Sequence, residues 1–237
     1  MARAEFRPTW LSYEDIRQRA RDLRRRYGHD DDVVFPIERV VEYDLKLDIV
    51  PVPGLRQAFP EWGACGYLTQ DRTEIRVDSY CCQAFEDSFR FTLAHEVAHL
   101  ELHAELWDLL VYSDPGEYIG ALQSLVTDER YKGLEWQADA FAGVVLVPDH
   151  LLRPRFLAVA DRVCSKLVGR EDVPKQTRFD VALSLVCAEL SEQFEQYEKR
   201  IAVRADYEGL SDELAGMLFG SGHKVETRRR MLPGNGP

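Results

Sequence analysis

The stretch Phe91–His103 reads FTLAHEVAHLELH and contains the pattern HExxH. Its alanines and leucines favour a helix, and neither Pro nor Gly occurs between Gln83 and His103. In a helix, positions i and i+4 lie on one face, so the side chains of His95 and His99 point the same way. Two imidazoles at this spacing can hold one Zn²⁺, and Glu96 beside the first can reach a water molecule on that ion.

A catalytic zinc site needs a third protein ligand, which HExxH does not supply. His103 continues the i, i+4 series. However, His95, His99 and His103 on one straight helix would span about 12 Å, which is too far for one tetrahedral ion. We therefore expect His103 beside the cleft or packed on the next helix, outside the set of ligands.

A second helical pattern lies downstream in Leu134–Pro148, which reads LEWQADAFAGVVLVP. Glu135 and Asp139 are four residues apart and share one face of this helix, which Pro148 ends. Alone, the pair would be interpreted as a solvated surface. After an upstream HExxH it resembles the arrangement of gluzincins, in which the Glu binds zinc and the Asp accepts a hydrogen bond from a ligand histidine.

The two blocks together resemble the ImmA/IrrE family of bacterial metallopeptidases. The first block is Thr92–Leu100, with Thr-Leu-Ala-His-Glu-x-x-His-Leu. The second is Glu135–Pro148, with Glu-x-x-Ala-Asp-x-Phe-Ala and an apolar run that ends in Pro. The resemblance extends over roughly residues 36–148.

The resemblance implies a set of roles for these residues. His95, His99 and Glu135 would bind zinc, with Glu96 as general base. Asp139 would orient one ligand histidine. A ligand set of imidazoles and a carboxylate also suits manganese. The implied partner is a protein substrate, a helix-turn-helix transcriptional repressor in a prophage, mobile-element or stress-response circuit.

The oxyanion donor that such a reaction needs is left open by the sequence. The candidates for this role or for substrate contact follow the motif in the chain: His103, Tyr112, Tyr118 and Tyr131. The three tyrosines belong to the long segment 104–134 between the motif helices, a departure from the family pattern. We expect this segment to cover or line the cleft.

The composition is that of a soluble globular enzyme. The 237 residues carry a net charge of −11, which argues against direct nucleic-acid binding but suits electrostatic attraction to a basic repressor. Five cysteines without regular spacing predict reduced thiols and a cytoplasmic location. No apolar run approaches the roughly 20 residues that span a bilayer, and the N-terminus lacks a signal-peptide pattern. Nothing in the sequence indicates an oligomeric state.

The predicted fold class is α+β, with a small antiparallel sheet packed against the two zinc-binding helices and helical extensions at both ends. The alternation of Leu45, Leu47 and Ile49 indicates a strand, and Cys65–Thr69 with Glu74–Asp78 indicates a hairpin. We expect Glu74–Asp78 to be an edge strand, which either binds an extended substrate or is covered by a loop.

The predicted domain organisation has three parts. Residues 1–148 form the metallopeptidase core, 149–219 a helical region that either closes the core or selects substrate, and 220–237 a loose tail. The predicted function is a zinc-dependent endopeptidase that cleaves a repressor at a specific site. The alternatives are a non-catalytic, metal-stabilised protein that binds a transcription regulator, and a cytosolic zinc peptidase of broader specificity.

Overall fold

The computed structural model describes four stretches of the chain: residues 9–58, 65–112, 115–170 and 172–220. The chain divides into two compact units, Met1–Asp30 with Phe35–Val145 and Asp31–Val34 with Leu146–Pro237. The predicted tail, apart from Gly220, lies outside the described residues. Among the described residues, every helix is too short or too polar to cross a membrane.

Besides a small sheet, the described part of the first unit contains several helices. In chain order they are α1 (Tyr13–Arg26), α2 (Ile37–Arg39) with a π-helical continuation (Val40–Asp44), α3 (Leu55–Ala58), α4 (Ser79–Ala84), α5 (Glu86–Leu102), α6 (Ala104–Trp107), α7 (Pro115–Leu125) and α8 (Asp128–Leu146), which ends at the boundary of the unit. The predicted α+β class is confirmed.

The sheet has strands β1 (Asp48–Val52), β2 (Gly66–Leu68) and β3 (Glu74–Asp78) in the order β1-β3-β2. The predicted hairpin is confirmed, since β2 pairs antiparallel with β3. The prediction of a purely antiparallel sheet is wrong, because β1 pairs parallel with β3. The connection from β1 to β3 contains α3 and β2, and a connection of this length lets the chain return in the same direction.

The prediction that Glu74–Asp78 is an edge strand is also wrong. It is the central strand β3, paired on both sides, and its Ile75 and Val77 are fully buried. Alternation of apolar residues identifies a strand but contains no information about its neighbours, so the order could not be derived from it. The edge strands among the described residues are β1 and β2.

Helix α5 packs on this sheet and contacts both β2 and β3. Leu93 and Val97, the apolar residues of the motif, are fully buried. Gly66 of β2 permits a close approach to the helix: a Cβ atom there would lie 2.7 Å from Cγ2 of Thr92 and 2.8 Å from the carbonyl oxygen of Arg76. The close packing of β2 on α5 therefore depends on glycine, which has no side chain, at position 66.

Helix α8 is held at its C-terminal end by a buried arginine of α1. The guanidinium of Arg24 donates to the carbonyl oxygen of Val145 at 2.6 Å and to that of Asp30 at 3.2 Å, and it lies 5.0 Å from the centroid of the Phe35 ring. Carbonyl groups in the last turn of a helix lack partners within the helix, so this contact satisfies one of them. Helix α1 itself begins with a capping box between Ser12 and Asp15. A serine followed three residues later by an acidic residue is a sequence pattern that predicts such a cap.

The second unit is helical in its described part. Its helices are α9 (Asp149–Leu167), α10 (Lys175–Phe194), α11 (Glu198–Tyr207) and α12 (Leu210–Phe219). Phe156, Phe179 and Phe194 lie in its core with at most 1 % of their surface exposed. The buried Arg204 donates to the carbonyl oxygen of Val147 at 2.9 Å.

Candidate metal centre

Helix α5 presents the three HExxH side chains from a buried position. Glu96 and His99 are 6 % and 4 % exposed, and the side chain of His95 is 16 % exposed. The two imidazoles lie one turn apart and point their Nε2 atoms at each other across 3.1 Å. Glu96 is rotated by about 100° around the helix from His95, so it faces a different neighbour.

Helix α8 brings a carboxylate to the same point. Oε2 of Glu135 lies 3.2 Å from Nε2 of His95, and Oε1 lies 3.5 Å from Nε2 of His99. Ligand atoms of these three residues all lie within 4.8 Å of one another. The structure therefore brings together the three residues that the resemblance implies as ligands; below they are called the candidate ligands.

The spacing of the candidate ligands fits a metal ion of the size of zinc. Bonds of 2.0–2.1 Å in a tetrahedral site place neighbouring ligand atoms about 3.3–3.4 Å apart. The observed separations are 3.1, 3.2 and 3.5 Å. Two imidazole nitrogens and a carboxylate that converge in a largely buried place need a proton or a metal cation among them, and the same geometry serves either. Imidazole and carboxylate are also the donor types of catalytic zinc sites.

The partner of His95 on its far side is Asp139. Its Oδ1 lies 3.0 Å from Nδ1 of His95, so the carboxylate can accept the proton of that nitrogen. Burial lowers the pKa of His95, but hydrogen bonds to Asp139 and Glu135 outweigh this effect and hold the pKa well above its usual value. Asp139 is exposed and Glu135 half-buried, so this side of the centre is open to solvent.

The partner of His99 on its far side is His103. The two Nδ1 atoms are 3.0 Å apart, and His103 is 5 % exposed. Burial lowers the pKa of His99 well below its usual value, and it lowers the pKa of His103 to about 4. The ring of Trp107 packs against that of His99, with 5.1 Å between the ring centroids. His103 therefore lies behind a candidate ligand, away from the open side of the centre.

Glu96 contacts β2. Its Oε2 accepts a hydrogen bond of 3.0 Å from the backbone N–H of Leu68. Burial raises the pKa of Glu96 to about 7, with a further contribution from the negative charge of Glu135. A carboxyl group with this pKa can both accept and release a proton near neutral pH.

The three tyrosines that the sequence analysis proposes for the site differ in their surroundings. Tyr131 is one turn before Glu135 on α8 and hydrogen-bonds to its carboxylate, and burial raises the pKa of this phenol. Tyr112 is buried and donates at 2.6 Å to the carbonyl oxygen of Leu68. The side chain of Tyr118 lies outside the described residues. Of the two tyrosines whose side chains the structure describes, Tyr131 reaches a candidate ligand.

Segment 104–112, which follows the motif helix, is attached to the β2–β3 hairpin. Gln70 donates to the carbonyl oxygen of Leu110 at 2.8 Å, and Arg72 donates to that of Ala104 at 3.2 Å and pairs with Asp108. Sequence reasoning missed these contacts, as it missed the roles of Leu68 and Trp107. A backbone N–H leaves no side-chain signal, and spacing gives none for Trp107, because α5 ends before the helix that contains it.

An HExxH helix beside a second helix that supplies a carboxylate, on an α+β scaffold, defines the class of HExxH metallopeptidases. Within that class, residues 85–161 match the model of the IrrE N-terminal-like domain, Peptidase_M78. The match confirms the resemblance to the ImmA/IrrE family, and this family implies a metallopeptidase. No curated protein matches the chain.

Proposed function

We propose that the protein is a zinc-dependent endopeptidase of the gluzincin type. The main support for this proposal is the spacing of the candidate ligands, whose nearest atoms lie 3.1–3.5 Å apart. The buried acid Glu96 lies beside them and is not one of the ligands. A structural zinc site is closed by four protein ligands, whereas a catalytic site keeps one position for water or substrate. A group of three such ligands among the residues that the structure describes supports a site of the second kind.

Zinc is the metal that the donor set suits best, and manganese is also compatible. When bound, the ion would lower the pKa of a water molecule toward about 7 and polarise the carbonyl group of the substrate. His95, His99 and Glu135 would hold it. Asp139 would keep His95 in the tautomer that leaves Nε2 free to bind, because the carboxylate accepts the proton on Nδ1.

Glu96 would carry the proton through the reaction. As general base it would take a proton from the attacking water, and as general acid it would deliver that proton to the amine that leaves from the cleaved peptide bond. Burial raises its pKa to about 7 in the metal-free chain, which favours a protonated carboxyl that can release the proton to the leaving amine. The N–H of Leu68 holds one carboxyl oxygen, so the other oxygen remains for the proton transfer.

Tyr131 is our candidate for the oxyanion donor. Its phenol reaches the Glu135 carboxylate, and its raised pKa keeps it protonated and therefore able to donate a hydrogen bond. A donor in this position would stabilise negative charge that develops on the substrate carbonyl. Tyr112 is less suitable, because its hydroxyl contacts the backbone of Leu68 rather than a candidate ligand.

The substrate that we propose is a helix-turn-helix repressor, cut at a specific site. This part of the proposal is supported by the resemblance to the ImmA/IrrE family and by the net charge of −11, which would attract a basic DNA-binding protein. Such a substrate implies that the reaction takes place in the cytoplasm.

The test is co-expression with a repressor encoded beside the gene. We expect the wild-type chain to cleave it and Glu96→Gln to lose cleavage by several orders of magnitude while it still binds zinc. Glu86→Gln is the matched control, since Glu86 is exposed in the first turn of the same helix. Equal cleavage by the wild type and Glu96→Gln would refute the role of the base.

Two further measurements separate the alternatives. Cleavage of casein at a rate comparable to that of the repressor would favour a peptidase of broad specificity. A complex with the repressor that forms without any cleavage, together with unfolding of the chain by a chelator, would favour a metal-stabilised interaction protein.

A further inference from the structure

His103 lies at the C-cap of α5 and is buried behind one candidate ligand. Its Nδ1 atom is 3.0 Å from Nδ1 of His99. Two ring nitrogens at this distance form a hydrogen bond only if one of them carries the proton and the other offers its lone pair. The positions of the protons can therefore be derived from what the other nitrogen of each ring contacts.

The proton of His99 belongs on Nδ1. Its Nε2 faces Nε2 of His95 at 3.1 Å and Oε1 of Glu135 at 3.5 Å, in the group of atoms that would hold the metal. A nitrogen that binds a metal offers a lone pair and bears no proton. The neutral imidazole of His99 then carries its proton on Nδ1 and donates it to His103.

This donation fixes the tautomer of His103 as well. Since Nδ1 of His103 accepts, its proton lies on Nε2. Among the described residues, this Nε2 and the Oε1 atom of Gln137 are both buried without a hydrogen-bond partner of normal length. The Gln137 side chain nevertheless interacts with the His103 ring. A proton on Nε2 makes the two atoms a complementary donor and acceptor, and Gln137, 1 % exposed, is fixed in place by its burial.

We infer that His103 is a positioning residue for the metal centre: its Nδ1 accepts the proton of His99, and its Nε2–H is directed to the amide oxygen of Gln137. The inference rests on the proposed metal site and adds the residues that orient its second histidine. The two histidine ligands thus differ in their supports. His95 has the charged carboxylate of Asp139, on the open side of the site, whereas His99 has a buried neutral imidazole.

The first experiment measures Zn²⁺ affinity by competition with a chromophoric chelator. We expect His103→Leu, which removes the acceptor, to bind zinc about 10–100-fold more weakly than the wild type. His103→Asn should recover most of the affinity, because Oδ1 of Asn stands where Nδ1 of His stood. His150→Leu, a substitution of a histidine in the second unit, is the control and should bind as the wild type does. Zinc affinity of His103→Leu equal to that of the wild type would overturn the inference.

The second experiment needs no variant and so does not depend on the folding of one. Nitrogen-15 NMR of the zinc-loaded wild-type chain reports which ring nitrogen of each histidine bears a proton. We expect protonated Nδ1 in His99 and protonated Nε2 in His103. A proton on Nδ1 of His103 would overturn the inference. Failure of the wild type to bind zinc would instead refute the metal site itself, so the two failures are distinguishable.

Discussion

Tyr112 offers the sharpest test of how the structure supports its general base. Its phenol is 6 % exposed and donates at 2.6 Å to the carbonyl oxygen of Leu68. The N–H of the same Leu68 holds Glu96 at 3.0 Å. Tyr112→Phe removes one oxygen atom and keeps the ring, so its effect is confined to these hydrogen bonds.

The expected magnitude follows from the groups that lose a partner. A buried polar group without a hydrogen bond costs about 1–3 kcal/mol. The substitution leaves one such group, the carbonyl of Leu68. Since local relaxation recovers part of this, we expect Tyr112→Phe to lower the free energy of unfolding by about 1–2 kcal/mol.

Urea denaturation of the metal-free chain measures this difference. The matched control is Tyr43→Phe, because Tyr43 is 65 % exposed and lies far along the chain from the hairpin. A substitution of that kind changes stability by at most about 0.5 kcal/mol. Equal midpoints for Tyr112→Phe and Tyr43→Phe would refute the hydrogen-bond network. Zinc stoichiometry should be unchanged in both, since neither residue is a candidate ligand.

Three other predictions concern the metal and the strand that supports the base. Glu135→Ala should weaken zinc binding by at least about 10-fold, because loss of a residue that only supports a ligand already costs about 10–100-fold. Metal analysis after dialysis would show this loss. Stoichiometric zinc in the variant would point to another acid as the ligand. Removal of metal by a chelator should abolish cleavage, with zinc restoring it; activity that persists in the metal-free chain would contradict the mechanism. Gly66→Ala should destabilise the fold by about 1–3 kcal/mol, because the new Cβ would meet Thr92 and the carbonyl of Arg76; unfolding like that of the wild type would show that β2 can shift freely.

The features that the sequence predicted correctly are those with a local period or a local hydrogen bond. The antiparallel hairpin follows from alternation on both sides of a turn, and the capping box at Ser12 from residues three apart. Strand order and direction could not be predicted, since they depend on which distant segment covers each side of β3. The same pattern of apolar residues is compatible with an edge strand and with a central strand.

The candidate site divides in the same way. Spacing places His95 and His99 on one face of a helix, and Glu135 and Asp139 on one face of another. It does not say that these faces meet, which required the resemblance. The function of His103 could not be predicted from spacing either. Its Nδ1 is identified as a hydrogen-bond acceptor only when the orientation of the His99 ring is known.

The position of Glu96 in its motif explains why the sheet belongs to the site. A residue next to His95 in a helix is turned by about 100° from it, so a base at this position cannot point where the ligands point. It needs a donor from another element to hold it near them, and the N–H of Leu68 on edge strand β2 supplies this bond. Gly66 brings β2 close to α5, and Tyr112 holds the carbonyl of Leu68. The ligands depend on two helices, whereas the base depends on a helix and a strand. Damage to β2 should therefore impair proton transfer while zinc binding is retained, a separation that a purely structural sheet would not produce.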